Sequence, residues 1–285
     1  MPVPLLVVHI ALYAIGILVV IGVLIRLART GRWRNPLDGV PLPDHGPTLV
    51  AVVGILLAYL VIRVAAEALL LPEGNADMTI EPGSDVWHRA QAGQTLTGVL
   101  LSVYMIVLLR VSRPRGPQPH GGPGPVAGLG AAVLGLLALL PIAAVQMEMG
   151  RVVWTWVRGD VTPPVHVVLE AIGGNAWGVF GIAHLLVGAV VVAPLLEELF
   201  FRGVLLQALC LHLERGWLAI LLSGVAFGLV HSQPQHVLPL ATMGILLGYL
   251  RLRCRSVWPC IVLHMLFNLR TMVFVLAAPE VLQSG

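Results

Sequence analysis

The chain has 285 residues, 58% of them hydrophobic and only 11% charged. A water-soluble domain of this size holds about 45–50% apolar and about 25% charged residues, so the composition points to a membrane and away from a soluble globule. The formal net charge is +3, and the 17 basic residues are all arginine; they are spread over several loops, which argues against a nucleic-acid-binding patch.

In chain order, apolar runs fall at 3–25, 48–62, 92–109, 126–145, 179–196, 217–230, 237–250 and 257–278, free of Asp, Glu and Arg except for Arg270 in the last. A membrane-crossing helix needs roughly 20 such residues. The expected fold is all-α, a polytopic integral membrane helical bundle of about eight transmembrane helices, with seven as the other count. Arginines give the orientation. Arg26, Arg29, Arg32 and Arg34 follow the first run, and Arg110, Arg113 and Arg115 the third. Arg215 follows the fifth, and Arg251, Arg253 and Arg255 lie between the last two. The opposite side holds Arg89, Arg151 and Arg158. The arginine-rich side is therefore cytoplasmic, and eight spans put both termini outside. The first run lacks a basic leader and is followed by arginines, so it reads as an anchor and not as a cleaved signal peptide.

The Pro/Gly-rich stretch RPRGPQPHGGPGP, 113–125, reads as a linker. It divides the chain into an N-terminal helical part, 1–112, with about three helices, and a membrane domain at 126–285. Residues 71–85 read as an acidic outward loop. Residues 148–178 form a longer outward segment whose tryptophans (Trp154, Trp156, Trp177) favour the membrane interface. Gly224 and Gly228, and likewise Gly244 and Gly248, have the small-xxx-small spacing that brings helices close. Cys210, Cys254 and Cys260 form no CxxC pair and read as apolar filler.

Ionisable groups within apolar runs are costly and need a partner or a wet cavity. Arg63 and Glu67 are four apart, so they meet on one helix face as a structural ion pair. His9 and His184 read as packing residues, and His236 as a loop histidine at a cavity mouth. The run VVAPLLEELFFRGVLL, 191–206, is different, because it carries Glu197, Glu198 and Arg202 together. Neighbouring residues on a helix point about 100° apart, so the two carboxylates serve different surroundings. The four-residue spacing pairs Glu198 with Arg202. Glu197 is left unneutralised in apolar surroundings, a setting that suits a general base. Pro194 is expected to kink this helix.

His231, and His264 with Asn268 four residues later on one helix face, complete a candidate hydrolytic set. In it Glu197 takes a proton from water, His231 holds that water, and His264 and Asn268 stabilise the oxyanion of a peptide carbonyl. Counting ~1.5 Å per residue from the cytoplasmic ends puts Glu197 about 24 Å deep, His231 about 21 Å and His264 about 12 Å, so His264 is expected shallower than the other two. The same residues would also serve simply to tie helices together.

The motifs E-E-L-F-F-R (197–202), F-G-L-V-H (227–231) and H-M-L-F-N (264–268) occur in order on successive hydrophobic segments. They resemble those of the CPBP intramembrane proteases, the family of the type II CAAX prenyl endopeptidases and bacterial Abi proteins, over residues 179–270. The resemblance implies a membrane endopeptidase with a helical bundle around a polar cavity. It makes Glu197 the base, with Glu198, Arg202 and Phe227 in support. Such enzymes have been described both as metalloproteases and as metal-free glutamate-dependent enzymes. A catalytic zinc takes three protein ligands, which Glu197, His231 and His264 would supply; no firm metal or other cofactor is expected. The implied partners are a membrane-anchored protein or peptide substrate and the lipid bilayer, with no nucleic acid. The all-arginine usage suggests a bacterium and its cytoplasmic (inner) membrane. A non-catalytic membrane scaffold or immunity protein on the same fold stays open, as does an ion-coupled transporter.

Overall fold

A chain with so few charges must satisfy its backbone internally once it leaves water, and helices do this segment by segment. The computed structural model describes residues 3–31, 35–70, 84–112, 124–159, 179–231 and 234–277. The linker expected at 113–125, apart from its last two residues, lies outside them, as do 71–83 of the acidic loop and 160–178, with Trp177, of the long outward segment.

The described residues form eight helices. They are α1 (Val3–Thr30), α2 (Leu49–Leu70), α3 (Asp85–Val111), α4 (Pro125–Arg158), a long composite α5, α6 (Gly216–Leu229), α7 (Pro234–Cys254) and α8 (Trp258–Ala277). Seven are long and apolar enough to cross a membrane. The protein is thus an all-α, polytopic membrane bundle. The exception is α6, with 14 residues, or about 21 Å of helix, against a hydrocarbon core of about 30 Å. It ends partway through, and His231 follows at its tip.

Antiparallel α6 and α7 form the tightest helix pair. A Cβ on Gly244 would come within 2.8 Å of the Gly224 Cα, and one on Gly228 within 2.6 Å of the Val237 carbonyl oxygen. Only glycine lets the two backbones approach so closely, which is the packing role expected of this spacing. Helix α4 lies along α7 and α8, joined by a buried cluster that includes Leu139, Met243, Leu247 and Leu263. Helices α2 and α3 pack on α5 through Ile55, Met105, Leu199 and Val204. The segment between α1 and α2 also contacts this domain: Leu37 joins Leu206, Cys210 and Ile220 in a third cluster. By contrast α1 buries only Gly16, and its leucines, isoleucines and valines face outward as lipid-facing side chains do. The three cysteines are free and buried.

Helix α5 comprises Val179–Val187, a π segment Gly188–Val192, Ala193–Glu198, a second π segment Leu199–Leu205, and Leu206–Leu213. The irregularity expected at Pro194 takes this form. In the first π segment the Ala193 N–H reaches back five residues to the Gly188 carbonyl. Continuing that pattern would pair the Ala189 carbonyl with residue 194, but proline has no N–H to give. Asn268 of α8 fills the place, its Nδ2 donating to the Ala189 oxygen at 2.8 Å. The two wide segments bracket the Glu197–Glu198 pair, and such segments often mark functional positions.

Candidate active site

Helices α1, α3, α4, α5, α7 and α8, together with His231, enclose a cavity of about 560 Å³. Among the described residues Glu197 is its one carboxylate. Glu198, the next residue, turns away and is fully buried. The division read from helix geometry is therefore the one observed.

Beneath the cavity floor Glu198 forms the hub of a packed ionic cluster. Its Oε1 accepts from Arg202 NH1 at 2.8 Å and from His264 Nδ1 at 2.9 Å. Arg202 NH2 also donates to the Gly244 carbonyl at 3.1 Å. The guanidinium lies 4.4 Å from the centroid of the Phe227 ring, a favourable cation–π distance. Arg202, Glu198 and Phe227 have no exposed surface. A buried pair of this kind is tolerable only with such supporting bonds, because desolvating two ions offsets their attraction.

The cluster orients the two histidines. A carboxylate only accepts, so His264 Nδ1 donates to Glu198 and leaves Nε2 towards the cavity. His231 Nδ1 lies 2.7 Å from the Phe227 carbonyl oxygen, so it too donates there and leaves Nε2 free. In the neutral ring each Nε2 is a lone pair; a protonated ring offers an N–H instead. Phe227 thus has two tasks, its ring beneath Arg202 and its carbonyl fixing His231. The two Nε2 atoms converge on Glu197 Oε2, at 3.7 Å from His231 and 3.9 Å from His264. These gaps exceed a direct hydrogen bond, and beyond 3.5 Å a shared water is the contact to look for. Oε2 itself has no protein hydrogen-bond partner among the described residues.

His264 was expected shallower than Glu197, and it is not: the 3.9 Å separation puts them side by side. The depth count assumed that all helices start in one plane and run upright, whereas packing sets their starting levels and tilt. Asn268 lines the cavity, but one of its N–H groups is committed to Ala189. His236 lies in the first turn of α7, not in a loop, and it also lines the cavity. His184 lines it with Nε2 3.1 Å from Thr95 Oγ1.

Metal binding was tested on donor spacing. Two ligand atoms on one tetrahedral zinc stand about 3.4 Å apart, from Zn–N and Zn–O bonds near 2.1 Å. The Glu197 and histidine atoms are wider apart than this, and no group of three potential ligands among the described residues is arranged to hold a metal. The residues as placed do not form a metal centre.

Residues 179–270 match the type II CAAX prenyl endopeptidase Rce1-like family. That stretch holds all three motifs and every residue of the ionic cluster, so the resemblance read from the motifs holds over the segment that carries it. A curated protein of Bacillus subtilis (strain 168) named "Putative membrane peptidase YdiL" is 35% identical over 78 residues, 27% of this chain and 32% of its own length. The match thus spans about a third of that relative. No solved structure matches the chain. The likeness is therefore one of this segment to that family, and the first 178 residues lie outside it.

Sequence reasoning missed the N-terminal contribution. Gln91, Gln94 and Thr95 of α3 and Tyr13 of α1 line the same cavity. The signal was present in the i, i+3, i+4 spacing of Gln91, Gln94 and Thr95, which places them on one face of α3.

Proposed function

We propose that the protein is an intramembrane endopeptidase in which Glu197 activates water for attack on a peptide carbonyl. The observation that carries this reading is the convergence of two fixed imidazole Nε2 atoms on the one carboxylate that lines the cavity among the described residues. A water between Glu197 and His231 loses its proton to the carboxylate as its oxygen attacks. His231 Nε2 orients that water. His264, held through Nδ1 by Glu198, donates its Nε2–H to the oxyanion when the ring is protonated, and the second Asn268 N–H supplements it. Glu197 then returns the proton to the departing amine. Glu198, Arg202 and Phe227 are positioning residues that act through His264 and His231.

A cavity lined by membrane-spanning helices suits a membrane-anchored protein or peptide as substrate. The arginine distribution and the Bacillus relative favour a bacterial cytoplasmic membrane. The test compares the membrane proteomes of cells carrying the wild type and Glu197→Gln. We expect a small set of membrane-anchored proteins to accumulate unprocessed in the variant; identical processing in both would refute the assignment. Chelation by 1,10-phenanthroline is expected to leave cleavage unchanged. Loss of cleavage that zinc restores would move the activating role to a metal.

A further inference from the structure

The cavity holds one further charged side chain besides Glu197. Arg270 lines it from α8, six residues beyond His264 and so about 9 Å further along the helix axis. Three arginines of the helices are held in ion pairs. Arg63 pairs with Glu67, Arg151 with Glu148 and Arg202 with Glu198. Arg270 has no carboxylate within ion-pairing distance among the described residues. Its NH2 lies 3.2 Å from both His9 Nδ1 and Tyr13 Oη of α1. The Phe274 ring centroid is 4.7 Å from the guanidinium carbon and the Tyr13 centroid 5.5 Å. These partners hold the fork in place without neutralising it, and Nε is buried with no hydrogen bond to the described residues.

An uncompensated cation at membrane depth is costly and marks a functional position by default. A guanidinium fixed on one side presents its other donors in the geometry that fits a carboxylate. We propose that Arg270 is a carboxylate-binding subsite of the cavity, with His9 and Tyr13 as its positioning residues. It takes an anionic group of the peptide whose carbonyl lies at Glu197. That group is either a free C-terminal carboxylate or an Asp or Glu side chain, and one short extended segment spans the distance. The proposal rests on the peptidase reading for its choice of ligand. Helix α1 thereby gains a role in specificity, although it lies outside the matched segment.

The test uses the full chain in lipid nanodiscs with Glu197→Gln, so that binding is read without hydrolysis. The probe is an apolar octapeptide of Leu, Val and Ala with an uncharged 7-methoxycoumarin label at its N-terminus, in three versions: free C-terminal acid, C-terminal amide, and amide with Glu as the last residue. We expect one carboxylated version to bind about tenfold or more tighter than the plain amide, the value of one charge-assisted hydrogen-bonded contact. Preference for the free acid identifies the terminus, and preference for the Glu peptide identifies the side chain. Adding Arg270→Gln should bring all three to parity while plain-amide affinity stays within about twofold; Arg270→Lys should keep part of the preference. Val273→Ala, at an exposed position of α8 outside the cavity lining, should keep the discrimination, which separates charge recognition from a general disturbance of the helix. Equal binding of all three to the parent protein overturns the proposal, as does a preference that survives Arg270→Gln. Wild-type cleavage of the same peptides separates the two claims. Cleavage without carboxylate preference sinks the subsite alone, and preference without cleavage sinks the peptidase reading alone.

Discussion

Arg63–Glu67 on α2 and Glu198–Arg202 on α5 have the same four-residue spacing and the same 2.8 Å contact. The first pair is about half exposed on both side chains. The second has no exposure and is bound into His264, Gly244 and Phe227. Spacing foretells that each pair forms, and only the packing of α6, α7 and α8 gives the second a task. The exposed pair ends at its own helix surface, whereas the buried one sets the tautomer and aim of a histidine that faces Glu197.

Removing one partner from each pair should separate these cases most sharply. Arg202→Met leaves the Glu198 carboxylate buried and unpaired, and is expected to cost about 3–5 kcal/mol, read by SDS titration of helicity in mixed micelles. Asn268→Leu should cost about 1–3 kcal/mol, because the Ala189 carbonyl freed by Pro194 loses its donor. Gly244→Ala thrusts a methyl onto the Gly224 backbone and is expected to cost a similar or smaller amount, about 1–3 kcal/mol. Glu67→Gln should change stability by only about 0.2–1 kcal/mol and leave any cleavage rate untouched. A loss at Glu67 as large as at Arg202 would dissolve the distinction between the two pairs.

Much of the fold was legible because a membrane restricts the options to apolar helices, and the eight runs each found a helix. The Glu198–Arg202 pair and the separate fate of Glu197 followed from the 100° turn between neighbours. What escaped were features set by tertiary register. At the first π segment of α5 the Ala189 carbonyl that Pro194 cannot serve is taken up by Asn268, which no local pattern states. The level of His264 was misjudged because the helices were taken to start in one plane, whereas packing sets their starting levels and tilt. The approach of α1 and α3 to the cavity was hidden as well, since Tyr13 and Gln91 meet α5 and α8 only through long-range packing.

The most direct measurement is cleavage by purified Glu197→Gln protein in lipid nanodiscs, beside its resistance to SDS unfolding. Glu197 Oε2 makes no protein hydrogen bond among the described residues, so its loss should leave unfolding within about 1 kcal/mol of wild type, the scale of one net hydrogen bond. Cleavage of a substrate processed by the wild type should vanish in this folded protein. Cleavage at the wild-type rate would contradict the account, because the carboxylate on which both histidines converge would then not activate the water.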